Sequence, residues 1–229
     1  MDYIIIGIED IIFEDIIDDE KNTIRFHCNR MNDFDLILNI LSKFNFINII
    51  CYLESLDLET IPESIFNLKN ISELYLDFNK LKTISSNIAK LTKLDTLFIG
   101  RNKFEDFPTS VCECKNLTYL NICGNNITTI PDCITKLNNI TSLNVSFNNI
   151  TTIPDCITKL NNITSLDISW TKECIPRSLW NLKNLQTIRL TNINYKSINR
   201  KKLIYRLYIL LIKKYVKFNF KIINKLLKF

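Results

Sequence analysis

The side chains best suited to covalent chemistry are few and poorly placed for it. The one histidine, His27, stands beside Cys28, a pair that would supply a thiol nucleophile and its base if the two met. Adjacent residues of a strand point to opposite faces, so they do not meet. With one histidine in the chain, a His-dependent triad, a multi-His zinc site or an imidazole shuttle has nothing to draw on. The closest cysteines, Cys112 and Cys114, form C-x-C rather than C-x-x-C, and no histidine lies near them to complete a zinc site. Three glycines, Gly7, Gly100 and Gly124, cannot build a dinucleotide or phosphate loop. Carboxylates are scattered, and Glu105–Asp106 and the run Asp18, Asp19, Glu20 read as solvated charge. The expectation is a chain with no catalytic residue, no metal, no cofactor and no small-molecule substrate.

The elements that carry these residues follow from composition and spacing. At 229 residues, with 46% hydrophobic and 23% charged residues, the chain is long enough for a continuous core and too apolar for disorder. The net charge of +5 hides a polarity: residues 1–35 carry −7, 36–195 carry +1 and 196–229 carry +11 with no acid. The eight cysteines are expected to be reduced, structural thiols, because the chain is too large and its spacing wrong for a disulfide scaffold. Cys133 and Cys156 lie 23 residues apart in duplicated sequence and are copies. The N-terminus lacks a basic n-region and a cleavage site, and no apolar run reaches the ~20 residues of a membrane span. An intracellular, cytoplasmic location is expected, and the Asn-x-Ser/Thr sequons at Asn116, Asn126, Asn139 and Asn149 are read as accidents of an Asn- and Thr-rich chain.

Self-similarity dominates the middle of the sequence. Residues 125–143 recur unchanged at 148–166, an offset of 23. On that period, units open at Ile71, Leu94, Leu117, Ile140 and Ile163; Leu53-Glu-Ser-Leu-Asp-Leu reads as a shortened first unit, and Leu185 begins a last one. Each unit reads L-x-x-L-x-L-x-x-N-x-L, then usually Ile-Pro, then an apolar-spaced segment. The L-x-L alternation is that of a short strand with one buried face. Crossovers of similar length make such strands parallel, and the Ile-Pro half covers their buried side. Pro131 and Pro154 fix φ at the entry to a short helical turn, with Asp132 and Asp155 at its N-terminus. The recurrent Asn79, Asn102, Asn125 and Asn148 stand where the chain turns inward, and each side-chain amide can satisfy loop backbone. Thr171 replaces that Asn in the sixth unit.

This pattern resembles the leucine-rich repeat, specifically the 23-residue class of Ras-suppressor-like and plant intracellular proteins. The composition and internal duplication are similar to those of repeat proteins from A/T-rich genomes such as giant DNA viruses. The resemblance implies an α/β leucine-rich-repeat solenoid: a curved parallel sheet on the concave side, short helices or 3-10 turns on the convex side, and helical caps. The expected organisation is an acidic segment and capping helix over 1–52, six to seven repeats over 53–195, and a basic amphipathic cap over 196–229. Residues 32–46 have helical apolar spacing, with Asn32 or Asp33 as N-cap. Ile-rich runs near 3–8 and 23–28 read as a hairpin or an extra edge strand.

The exposed strand positions form the usual partner surface of a solenoid. Here they include Glu73, Tyr75, Asp77, Phe98, Tyr119, Asn121, Asn144, Asp167 and Arg189, with Asp57 and Glu59 extending the row. Aromatic anchors are typical of binding hot spots, so the leading expectation is a non-catalytic module that binds an unidentified protein there; the alternative is an unoccupied, solvated face. A second reading belongs to the tail. Lys214, Lys217, Lys221 and Lys225 recur at helical spacing opposite apolar residues, which suits an anionic membrane or nucleic acid as well as a plain cap.

Overall fold

In a computed structural model, the described residues are 11–12, 23–28, Phe34, Leu38, Leu41, 48–171 and 177–189. The chain divides into two compact units, 1–193 and 194–229. The second lies outside the described residues, and Lys214, Lys217, Lys221 and Lys225 with it.

The first unit is built on one nine-stranded sheet whose spatial order is its sequence order. Its strands are β1 (Ile11–Ile12), β2 (Thr23–Cys28), β3 (Asn48–Tyr52), β4 (Ile71–Tyr75), β5 (Thr96–Phe98), β6 (Tyr119–Asn121), β7 (Ser142–Asn144), β8 (Ser165–Asp167) and β9 (Thr187–Arg189). β1 is antiparallel to β2, and every later pairing is parallel. The run 23–28 is therefore an edge-extending strand paired parallel to β3, and the run 3–8 lies outside the described residues. Of the segment 32–46, the described Phe34, Leu38 and Leu41 are helical and buried.

Register holds the period. Leu74, Leu97, Leu120, Leu143 and Leu166 pair in a line with Ile188 at its end, and the five leucines are buried. Behind them the return segments are 3-10 helices, Glu63–Asn67, Ser86–Lys90, Thr109–Glu113, Asp132–Lys136, Asp155–Lys159 and Arg177–Asn181. A 23-residue period leaves only one tight turn per return, which a 3-10 helix fills. Pro62, Pro108, Pro131 and Pro154 precede four of them with φ between −56 and −77, and Ser85 does the same work in the second unit by accepting from Asn87 N–H. Ile65, Ile88, Val111, Ile134 and Ile157 plug the core from this side.

The first unit is not shortened. Cys51 and Leu53 stand where later units have Leu74 and Leu76, and all four are fully buried. Leu58 and Ile61 then match Leu81 and Ile84, so the unit has full length with Leu56 at the Asn position. A cysteine in a leucine's place shifts the apparent phase by five residues. As a result Asp57 and Glu59 do not extend the concave row: they lie in the loop after β3, exposed, with Asp57 paired to Lys80 at 2.9 Å.

The inward-turning Asn residues behave as their chemistry requires. Asn125 Nδ2 donates to the carbonyls of Ile99, Ile122 and Cys123 at 3.1–3.3 Å, and its Oδ1 accepts from Phe104 N–H at 3.1 Å. Asn102 and Asn148 repeat this one unit either side, and Asn79 accepts from both Leu56 and Leu58. A second ladder runs along the convex side. Asn116, Asn139, Asn162 and Asn184 each donate to a carbonyl one repeat back, at 2.7–3.0 Å. Asn116 and Asn139, both sequon residues, thus have a structural role.

Cys112 and Cys133 form a disulfide, which corrects the expectation of reduced thiols for this pair. Their separation of 21 is two short of a repeat, so a residue late in one 3-10 helix sits beside one early in the next, with Cα atoms 5.9 Å apart. Comparing only cysteines in phase conceals such a pair. Cys51, Cys114, Cys123 and Cys156 carry free thiols.

Candidate functional site

From β2 onward each strand turns two side chains to one face of the sheet, and parallel register lines them up in rows. The first row runs Arg25, Ile50, Glu73, Thr96, Tyr119, Ser142, Ser165, Thr187. The second runs His27, Tyr52, Tyr75, Phe98, Asn121, Asn144, Asp167, Arg189. Strand spacing of ~4.8 Å matches the separation of stacked rings, so aromatic residues in one row must stack.

They do so over five strands. His27 lies on Tyr52 with centroids 4.0 Å apart, Tyr52 on Tyr75 at 4.5 Å, Tyr75 on Phe98 at 4.6 Å, and Phe98 on Tyr119 at 4.8 Å. The interplanar angles are 3°, 20°, 14° and 28°, the widest at the last step, which crosses from the second row to the first. Tyr75, Phe98 and Tyr119 are the aromatic residues expected from the repeat. His27 and Tyr52 were hidden because they precede the recognisable units. His27 and Cys28 face opposite sides of β2, the cysteine buried and the histidine half-buried.

Acids fringe the first half of this ladder. Tyr75 hydroxyl donates to Glu73 Oε2 at 2.7 Å, and burial with that carboxylate pushes the phenol up. Asp77, expected as an exposed contact, is only 8% exposed. Its Oδ1 accepts from Gly100 N–H at 2.6 Å, and burial raises its carboxyl to about 6 against that bond. Gly100 permits this approach: a Cβ there would stand 2.7 Å from Asp77 Oδ1 and 3.1 Å from Cys123 Sγ. Burial and then Asp77 push the Cys123 thiol up, away from nucleophilic use.

Beyond Tyr119 the face becomes small and polar. Asn121, Asn144 and Asp167 turn their Oδ1 atoms to the backbone N–H groups of Cys123, Ser146 and Ser169, two residues on. Arg189 stands exposed with a guanidinium nitrogen 3.8 Å from Asp167 Oδ2.

The rim after β3 to β8 holds a left-handed residue in every unit: Ser55, Phe78, Arg101, Gly124, Phe147 and Trp170, with φ of 51 to 67. Phe78, Phe147 and Trp170 are 55%, 54% and 48% exposed; Phe147 stacks on Trp170 at 5.2 Å, and Arg101 covers Phe78 at 5.1 Å. Among the described residues no cluster of three His, Cys, Asp or Glu is arranged to hold a metal, and no helix is long and apolar enough to cross a membrane.

A family model described as "Leucine-rich repeat region" matches residues 107–211. The matched region carries leucine-rich repeats, and the sheet with its 3-10 returns has the leucine-rich-repeat solenoid fold. The repeat solenoid is similar to a leucine-rich-repeat protein of Leptospira interrogans, at 32% identity over 64% of this chain and 44% of that one, with a TM-score of 0.52. An internalin of Listeria monocytogenes shares the fold at 23% identity, covering 74% of this chain and 48% of its own, with a TM-score of 0.61. The leucine-rich-repeat ectodomain of an Arabidopsis thaliana membrane receptor kinase, solved in complex with Casparian strip integrity factor 2, matches at 27% identity over 65% of this chain and 18% of that one, TM-score 0.52. The chain thus spans less than half the length of these structures. No curated protein matches it in sequence.

Proposed function

We propose that this leucine-rich-repeat chain is a non-catalytic module that binds a protein or peptide partner on the concave face of its sheet. The observation that carries the reading is the stack His27, Tyr52, Tyr75, Phe98 and Tyr119, edged by Glu73 and Asp77. Stacked rings on a rigid sheet are pre-ordered, so a partner meets a surface with little side-chain entropy left to lose. Tyr52, Tyr75 and Tyr119 put polar hydroxyls at the edge of an apolar strip, the mixture found at interface hot spots. A related repeat ectodomain was solved with a partner bound, which supports the same use here. Asn121, Asn144, Asp167 and Arg189 complete the proposed surface towards the C-terminal strands. The identical units at 125–143 and 148–166 add length and small polar floor rather than new anchors.

The test is affinity capture with three forms of the whole chain: intact, Tyr75→Ala with Phe98→Ala, and Lys214, Lys217, Lys221 and Lys225→Gln. The reading requires a protein captured by the intact and lysine-substituted forms and lost with the ring substitutions. Capture that survives loss of both rings and disappears with the lysines overturns it and moves the function to residues 196–229.

A further inference from the structure

The aromatic stack stops at Tyr119 in a particular way. Its inner face is covered by Phe98 at 4.8 Å. On the other side its row continues with Ser142 and then Ser165, and the adjacent row with Asn144 and Asp167. No ring follows, so the outer π-face of Tyr119 looks across a floor of Ser142 and Asn144 towards Asp167, two strands away. Two strand spacings are ~10 Å. A cationic head held about midway, ~5 Å from each wall, would lie within the ~6 Å cation–π range of the ring and beside a carboxylate that reaches in from the far wall.

Asp167 suits that role. Its Oδ1 is fixed by Ser169 N–H at 3.0 Å, which leaves Oδ2 with Arg189 at 3.8 Å, too long for a hydrogen bond. The Arg189 side chain is 72% exposed while Asp167 is 16% exposed, so the chain's own guanidinium is a loose neighbour that an incoming cation can replace. On the other flank, the acids Glu54, Glu73 and Asp77 follow the ladder beside two cations, Arg101, which covers Phe78, and the exposed Arg25 of the first row. This acid-lined face belongs to a chain of net charge +5, so its attraction for cations is local.

Resting on the concave-face reading, we propose that the partner is engaged through an extended segment rich in lysine or arginine, with one basic side chain seated between the Tyr119 ring and Asp167. Crossing from β4 to β8 spans four strand spacings, ~19 Å, which about six extended residues cover. The Glu73 carboxylate meets a further basic residue of the same segment, and the ring edges of Tyr75 and Phe98 meet its aliphatic stems.

The test uses fluorescence anisotropy of the whole chain with three labelled eight-residue Gly/Ser peptides carrying three Arg, three Gln or three Glu. The Arg probe is expected to bind at least about tenfold tighter than the Gln probe, a difference of ~1.4 kcal/mol, and the Glu probe weakest. Tyr119→Leu and Asp167→Asn should each weaken the Arg probe by about three- to tenfold. Tyr119→Phe, which keeps the ring, should bind as the unaltered chain does and guards against a folding defect. Arg189→Gln should tighten binding by freeing Asp167. Equal affinity for Arg and Gln probes, no binding of the Arg probe, or indifference to Asp167→Asn overturns the proposal. If Tyr75→Ala abolishes capture of a partner while the Arg probe fails, the concave reading stands and only the basic segment falls. If the Arg probe binds and ignores every substitution on this face, both readings fail.

Discussion

Replacing the four ladder asparagines with alanine one at a time should not cost the same, although the side-chain volume removed is identical. In Asn125→Ala, the carbonyl of Ile99 keeps Asn102 as donor, that of Ile122 keeps Asn148, and that of Cys123 keeps Arg101 N–H. Only the buried Phe104 N–H loses its acceptor, a loss of ~1–3 kcal/mol. Asn102→Ala likewise strands only Leu81 N–H. Asn148 ends the ladder, because Thr171 follows it and donates its hydroxyl to Ile168 alone. Asn148→Ala therefore strands both Ile127 N–H and the carbonyl of Val145, and Asn79→Ala strands the buried Leu58 N–H and the carbonyl of Leu53, besides releasing the half-buried Leu56 N–H, which water can reach. The end members should cost about twice the middle ones, ~2–5 kcal/mol. Thr171→Asn should extend the ladder to Val145 and reduce the cost of Asn148→Ala to that of a middle member. Urea unfolding of the single and double variants, compared at constant m, reads this directly. Equal losses at Asn125 and Asn148, or no rescue by Thr171→Asn, would refute the reasoning.

Other perturbations follow from the same geometry. Asp77 has its carboxyl raised from 3.8 to about 6, so its protonated form favours the folded state; this contribution is complete below pH ~4 and is lost as pH rises through about 6. Melting profiles from pH 4 to 7 should show Asp77→Asn matching the unaltered chain at the acid end and exceeding it at neutral pH. Gly124→Val places a branched side chain at φ 67, with its Cβ 3.1 Å from Arg101 Cγ; melting should show a loss of ~1–2 kcal/mol. Reduction of the Cys112–Cys133 bond, separation 21, should cost ~3 kcal/mol of stability by the chain-entropy estimate, measured as a drop in urea midpoint that Cys112→Ser already shows without reductant.

What the sequence disclosed depended on whether neighbours repeated the signal. Period, parallel strands, the Asn ladder and the outward Tyr75, Phe98 and Tyr119 were legible because several units agreed in phase. Tyr52 and His27 were not, since Cys51 replaced the leucine that marks the strand and β2 lies before any repeat. Asp77 read as exposed because alternation alone places it there; its burial depends on Gly100, one unit away in sequence and adjacent in space. The left-handed rim was invisible, because Phe78, Arg101, Phe147 and Trp170 are residue types that disguise such a backbone, and Gly124 is one glycine among them. The disulfide required comparing positions two residues out of phase.

The central claim is that the ringed, concave face meets the partner, and site-specific photo-crosslinking tests it most directly. A benzophenone amino acid would replace Phe98, in the middle of the stack, or Ala89, exposed on the 3-10 helix Ser86–Lys90 of the convex side. Irradiated with the captured partner, the chain labelled at position 98 should form the covalent adduct, and the chain labelled at 89 should not. An adduct from position 89, with none from 98, would contradict the account.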